Sequence, residues 1–147
     1  MSGYLIDTNI ISTSAPANAA RHQAVLDWLE ANTDLLFLSV VSVAEIESGI
    51  ANSLCKGARR KAALAADWLE SVLHLYGRRV LPLDIVVARA AGRLNGYAGG
   101  AGVSPGSADV AIAATASAQG LTIVTRNLQH FQPLGVPVLD PFDGSLP

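Results

Sequence analysis

Tyr4-Leu5-Ile6-Asp7-Thr8-Asn9 decides how this chain is read, because an unbroken apolar run ends abruptly in an acid and two polar residues. A short apolar run without alternation marks a strand covered on both faces, and the polar residues mark where it stops. An aspartate at the end of such a strand is costly to bury without a partner. Similar runs recur at Leu35-Leu36-Phe37-Leu38, Val80-Leu81-Pro82-Leu83, Leu121 to Thr125 and Val136-Pro137-Val138-Leu139. Pro82 predicts that the third of these lies at a sheet edge or ends early.

Helical patterns separate the runs. Ala19 to Ala31 carries Val25, Leu26, Trp28 and Leu29 at helical spacing, with Asn18 as a candidate N-cap. Ser39 or Ser42 can cap a helix through Val43, Ala44 and Ile46 to about Asn52. Ala58 to Tyr76 has a stripe of Leu64, Trp68, Val72 and Leu75 or Tyr76, stopped by Gly77. Asp84 caps a helix carrying Val86, Val87, Ala90, Ala91 and Leu94. The stretch 98–106 is too rich in glycine for regular structure, after which Ser107 caps an alanine-rich helix, Ala108 to Ala118, closed by Gly120. Strands alternating with helices imply parallel pairing through right-handed crossovers. The expected fold is α/β, a three-layer α/β/α sandwich with a small, mostly parallel sheet, spanning residues 1–147 as one domain.

Composition narrows the function. The chain has 147 residues, half of them hydrophobic, enough to bury a core. Its single cysteine, Cys55, permits no internal disulfide and no thiolate zinc site of its own, which fits a reducing cytoplasm. No secretory leader pattern and no membrane-spanning run is expected. A net charge of -2 argues against holding nucleic acid by bulk positive charge, though not against a local site. Arg59-Arg60-Lys61 and Arg78-Arg79 read first as solvated faces.

In open parallel sheets ligands bind beyond the carboxyl ends of the strands, where the crossover helices also begin. Asp7 follows the first strand, Glu45 lies early in the helix after the second, Asp109 lies in the first turn of the helix leading to the fourth, and Asn127 follows that strand. All four therefore belong to one edge. Gathered carboxylates repel one another, and a divalent cation offsets that repulsion. Oxygen ligands without a His or Cys partner point to Mg²⁺ or Mn²⁺, and phosphodiester hydrolysis is the natural reaction. Each residue also has a plainer reading: Asp7 as a helix cap, Glu45 and Glu47 as solvated helix residues of which one faces inward, Asp109 as a partner of the helix dipole, Asn127 as a turn residue. Arg126 suits either substrate phosphate or a surface ion pair, and His22, His74 and His130 show no ligand spacing, so packing is their default.

These residues resemble the PIN-domain family, and most of all its VapC-type toxins of bacterial toxin–antitoxin pairs. The resemblance rests on Tyr4 to Asn9, on Ser39-Val40-Val41-Ser42-Val43-Ala44-Glu45 with Gly49, on Ser107 to Ala116, and on Thr125-Arg126-Asn127 with His130-Phe131. Each motif is weak alone; four in order across nearly the whole chain are specific. The resemblance implies a PIN fold, a Mg²⁺- or Mn²⁺-dependent endoribonuclease acting on RNA of the tRNA or ribosomal RNA class, a homodimer and a cognate antitoxin. It implies Asp7, Glu45 and Asp109 as metal-binding catalytic acids, with Thr8, Asn9, Thr125 and Asn127 in support. The family often has a fourth acid where this chain has Asn127, which makes a stably held second metal less expected.

Two other readings stand beside the nuclease. A non-catalytic PIN-fold binding module is favoured by Asn127. An aspartate-based phosphatase or phosphotransfer domain would place a second acid where Asn9 stands, and a lysine after a late strand, whereas the lysines are Lys56 and Lys61. The helices around Val43–Asn52 and Ala58–Tyr76 are more apolar than a small sheet needs, so they are expected to form a groove for a partner segment.

Overall fold

The computed structural model describes residues 3–18, 21–144 and 146–147. Tyr4–Ile6 (β1) forms the centre of a five-stranded sheet of order β3-β2-β1-β4-β5. Leu36–Ser39 (β2) and Val80–Leu81 (β3) lie on one side, Thr122–Val124 (β4) and Val138–Leu139 (β5) on the other. All four pairings are parallel. As Pro82 predicts, β3 is short and at an edge.

The helices are Thr8–Ile11 (α1), Gln23–Ala31 (α2), Val40–Cys55 (α3), Arg59–Tyr76 (α4), Ile85–Gly100 (α5), Ser107–Gln119 (α6) and Leu128–Phe131 (α7). They form two layers, and the pleat of the strands sorts the core between them. Ile6, Leu36, Leu38 and Val124 point to a core shared with Trp28, Ile46, Leu69 and Tyr76 from α2, α3 and α4. Leu5 and Ile123 point the other way, into a core with Ile112, Ala113 and Phe131 from α6 and α7. Burial on both faces explains why the strands read as continuous apolar runs. Gly3, just before β1, lets the chain pass close to its neighbours, since a Cβ there would stand 2.8 Å from a Leu121 methyl and 3.1 Å from the Phe37 ring.

Several local expectations are corrected. Ala19 and Ala20, placed at the head of the second helix, lie outside the described residues. The helix itself starts at Gln23, and Asn18 does not cap it; its amide donates to the Ser12 carbonyl at 3.1 Å and closes the preceding loop. Ser39, not Ser42, caps α3, its Oγ accepting from Val41 N at 3.0 Å. Ser107 is the first helical residue of α6, whose N-cap is Gly106 without a side-chain bond. The glycine-rich stretch is partly helical, because α5 runs through Gly100. On α4 the buried stripe is Ala62, Leu69, Val72 and Tyr76, while Leu64 and Leu75 are exposed. The Asp84 cap is as expected, Oδ1 accepting from Val87 N at 2.9 Å.

The basic pair Arg78-Arg79 divides in two. Arg79 is no solvated charge: its guanidinium donates to the carbonyls of Thr33, of Leu36 at 2.7 Å and of Leu75 at 3.0 Å, and lies over the Tyr76 ring. Among the described residues no helix is long and apolar enough to cross a membrane.

Candidate active site

The strand order reverses its direction of travel between β1 and β4. After β1 the chain turns to the α2–α4 layer; after β4 it turns to α7 on the opposite face. Such a switch point opens a crevice beyond the carboxyl ends of the two strands. Asp7 stands at its floor, only 6% exposed. Its two oxygens are each engaged: Oδ1 accepts from Thr8 N at 2.8 Å, capping α1, and Oδ2 accepts from the Thr125 hydroxyl at 2.8 Å. Asp7 therefore caps α1 and lines the crevice at once. Thr125, fully buried at the end of β4, also accepts from Asn127 N at 3.0 Å, so one hydroxyl joins the two loops. Asn9 adds a second tie, its Oδ1 accepting from Arg126 N at 3.4 Å.

Glu45 reaches the crevice from α3. Thr8 Oγ1 lies 2.8 Å from Glu45 Oε1 and 2.9 Å from Ser42 Oγ. A carboxylate can only accept, so the threonine proton goes to Glu45 and the Ser42 hydroxyl serves Thr8. Ser42 is buried and precedes Glu45 by one helical turn. Its place on the same helix face was a usable sequence signal. Glu47 is exposed and away from the cavity, as expected.

Asp109 arrives from the first turn of α6. Its Oδ2 lies 3.3 Å from His130 Nδ1. His130, read by default as packing, lines the same cavity as the acids. The signal missed was position: it follows Asn127 within the short helix at the same edge. Arg126 faces elsewhere, its guanidinium 4.2 Å from the Phe142 ring centroid.

One open cavity of about 450 Å³ is lined by Asp7, Thr8, Asn9, Ser12, Glu45, Ala108, Asp109, Asn127 and His130. Neither Lys nor Arg is among these lining residues. The Asp7 carboxyl is pushed above its ordinary value of 3.8, first by burial and then by the charges of Glu45 and Asp109; the bonds from Thr125 and Thr8 pull it back. A negative field without a fixed counter-cation suits a divalent ion. Among the described residues no three His, Cys, Asp or Glu side chains stand close enough to cage a metal directly. The donors the cavity does offer are carboxylate, hydroxyl and amide oxygens, the kind that Mg²⁺ and Mn²⁺ accept, often through one or two carboxylates with several waters retained.

The family model described as "PIN domain" matches residues 4–133. The chain is similar to the plasmid stability protein StbB of Pseudomonas syringae pv. tomato, with 34% identity covering 95% of this chain and 98% of that protein. It is similar to the VapC ribonuclease Y4jK of Sinorhizobium fredii, with 36% identity covering 95% and 97%. Among solved structures, FitAcB from Neisseria gonorrhoeae superposes with a TM-score of 0.83 at 34% identity, covering 95% of this chain and 98% of that one. A DNA-bound VapBC from Salmonella typhimurium shares the fold, with a TM-score of 0.73 at 24% identity, covering 96% and 99%.

Proposed function

The chain belongs to the PIN domain family, and on that premise we propose that it is a divalent-metal-dependent endoribonuclease, the toxin of a toxin–antitoxin pair. The observation that carries this reading is the convergence of Asp7, Glu45 and Asp109 on one cavity that, among the described residues, no Lys or Arg lines. Asp7 and Asp109 would hold Mg²⁺ or Mn²⁺, with Glu45 contributing directly or through water. When bound, the ion neutralises charge on the RNA phosphate and makes a water more acidic. The protein supplies placement. The Thr125 hydroxyl holds Asp7 Oδ2, the Thr8 hydroxyl holds Glu45 Oε1, and Asn9 and Thr125 lock together the loops that carry them. Hydrolysis adds water across a P–O ester bond, and the leaving oxygen takes up a proton. Arg126 is committed to Phe142, which weighs against a phosphate contact unless RNA displaces it.

The partner reading has its own support. A hollow of about 600 Å³ lies between the segment after α1 and helix α4, lined by Ala15, Pro16, Leu64 and Ala65 with Arg60 and Lys61 at its border. Ser12 lines both this hollow and the acidic cavity. Of the two helices expected to form a partner groove, α4 lines this hollow, while α3 packs against α4. An antitoxin segment laid there would run toward the acids. Val86 and Tyr97, about three turns apart on α5, remain exposed and suit a homodimer face. A reducing cytoplasm fits the free, exposed Cys55.

The test is RNA cleavage with and without Mg²⁺, on wild type and on Asp7→Ala and Asp109→Ala. Metal-dependent cleavage lost in both variants supports the enzyme. Asn127, in place of an acid, favours a binding module without catalysis, and RNA retention with no cleavage at any Mn²⁺ concentration would establish that second reading instead.

A further inference from the structure

We propose that His130 is a positioning residue of the acidic site: it fastens one oxygen of Asp109 so that the other stays turned toward the cavity where the divalent ion binds. This inference rests on the metal-dependent reading above and deepens it.

The geometry is specific to one oxygen. Asp109 Oδ2 lies 3.3 Å from His130 Nδ1. The same Oδ2 faces Gly106, where an added Cβ would stand 3.6 Å from it in ordinary contact. At 3.3 Å the imidazole can offer an Nδ1–H to Oδ2 from a neutral ring as well as from a charged one, so no charge on the histidine is needed. The mount is firm: Phe131, next in sequence, is fully buried in the core, and His130 N donates to the Asn127 carbonyl at 3.0 Å.

Asp109 and His130 together also form a partition. They line the acidic cavity and a neighbouring one of about 380 Å³ bounded by Val103, Pro105, Gln129 and Pro133. Without the histidine, the Asp109 carboxylate could rotate toward either side. The side chains are 47% and 27% exposed for His130 and Asp109, so the pair contributes little to folding. Its effect lies in orientation, since hydrogen bonds to a ligating carboxylate fix the direction of its free oxygen.

The experiment is calorimetric titration of the intact protein with Mn²⁺, comparing wild type with His130→Ala, His130→Asn and His130→Gln, each checked by thermal melting. The asparagine amide can place an N–H near the Nδ1 position, whereas the longer glutamine places it near Nε2. His130→Ala and His130→Gln are expected to bind Mn²⁺ about ten-fold or more weakly, while His130→Asn retains most of the affinity. RNA cleavage by His130→Ala is expected to recover as Mn²⁺ is raised to saturation. Wild-type Mn²⁺ affinity in His130→Ala, or equal affinity in the Asn and Gln variants, would overturn the inference alone. A wild type that takes up no Mn²⁺ would overturn the nuclease reading and the inference with it.

Discussion

Asp7 meets two opposed demands. Burial and two neighbouring carboxylates disfavour its charge, while a metal ligand must be ionised. Its folded carboxyl lies above 3.8, so the native state keeps a proton where the unfolded chain has released it. Stability therefore falls as pH rises from 3.8 through the raised value, and above it the full penalty of a buried charge remains. Asp7→Asn is expected to stabilise the apoprotein by about 1 kcal/mol, raising the melting temperature by roughly 2–4 °C, and to abolish Mn²⁺ uptake; an unchanged or lower melting point would show that burial of Asp7 costs nothing. The same linkage sets a pH dependence. Mn²⁺ affinity should weaken on acidification toward the raised Asp7 value as protons compete for the site, and calorimetry at several pH values would reveal a flat profile if Asp7 were not a ligand.

Glycines separate two effects at the scale of the helix. Gly120 ends α6 in the left-handed region, φ 66°, with no atom within 4 Å of where a Cβ would stand. Gly120→Ala is expected to lose about 1 kcal/mol from backbone strain alone, read from denaturant midpoints. Gly96 sits inside α5, equally open around a Cβ but with ordinary helical backbone. Gly96→Ala should gain about 1 kcal/mol by helix propensity, and a loss there would mean that the α5 face packs against another chain. The stretch Ala98 to Gly100 stays helical despite its glycines because Ala98 is buried in the second core, so tertiary packing overrides propensity.

For the molecule as a whole, the sheet is sewn to its helical layer by Arg79. Three carbonyls, from the turn before β2, from β2 itself and from the last turn of α4, converge on its guanidinium. Arg79→Met would leave these acceptors without their donor and is expected to cost roughly 1.5–3 kcal/mol, measured by urea unfolding; a cost near zero would place Arg79 with the solvated residues after all. The knot holds Leu36 at the start of β2, whereas the acids lie beyond the carboxyl ends of the strands, so RNA cleavage by Arg79→Met should persist below its lowered melting point.

Unbroken apolar runs ending in polar residues were enough to place every strand, the parallel pairing and one edge for Asp7, Glu45, Asp109 and Asn127, because covered strands and crossover helices leave few arrangements open, whereas the strand order came only from the fold. His130 against Asp109, Arg79 among carbonyls and the exposed Leu64 were settled only by folding. Periodicity records which face of an element is apolar. Which polar side chain meets which depends on how helices remote in sequence are rotated against one another, and those rotations are fixed only when the two cores pack.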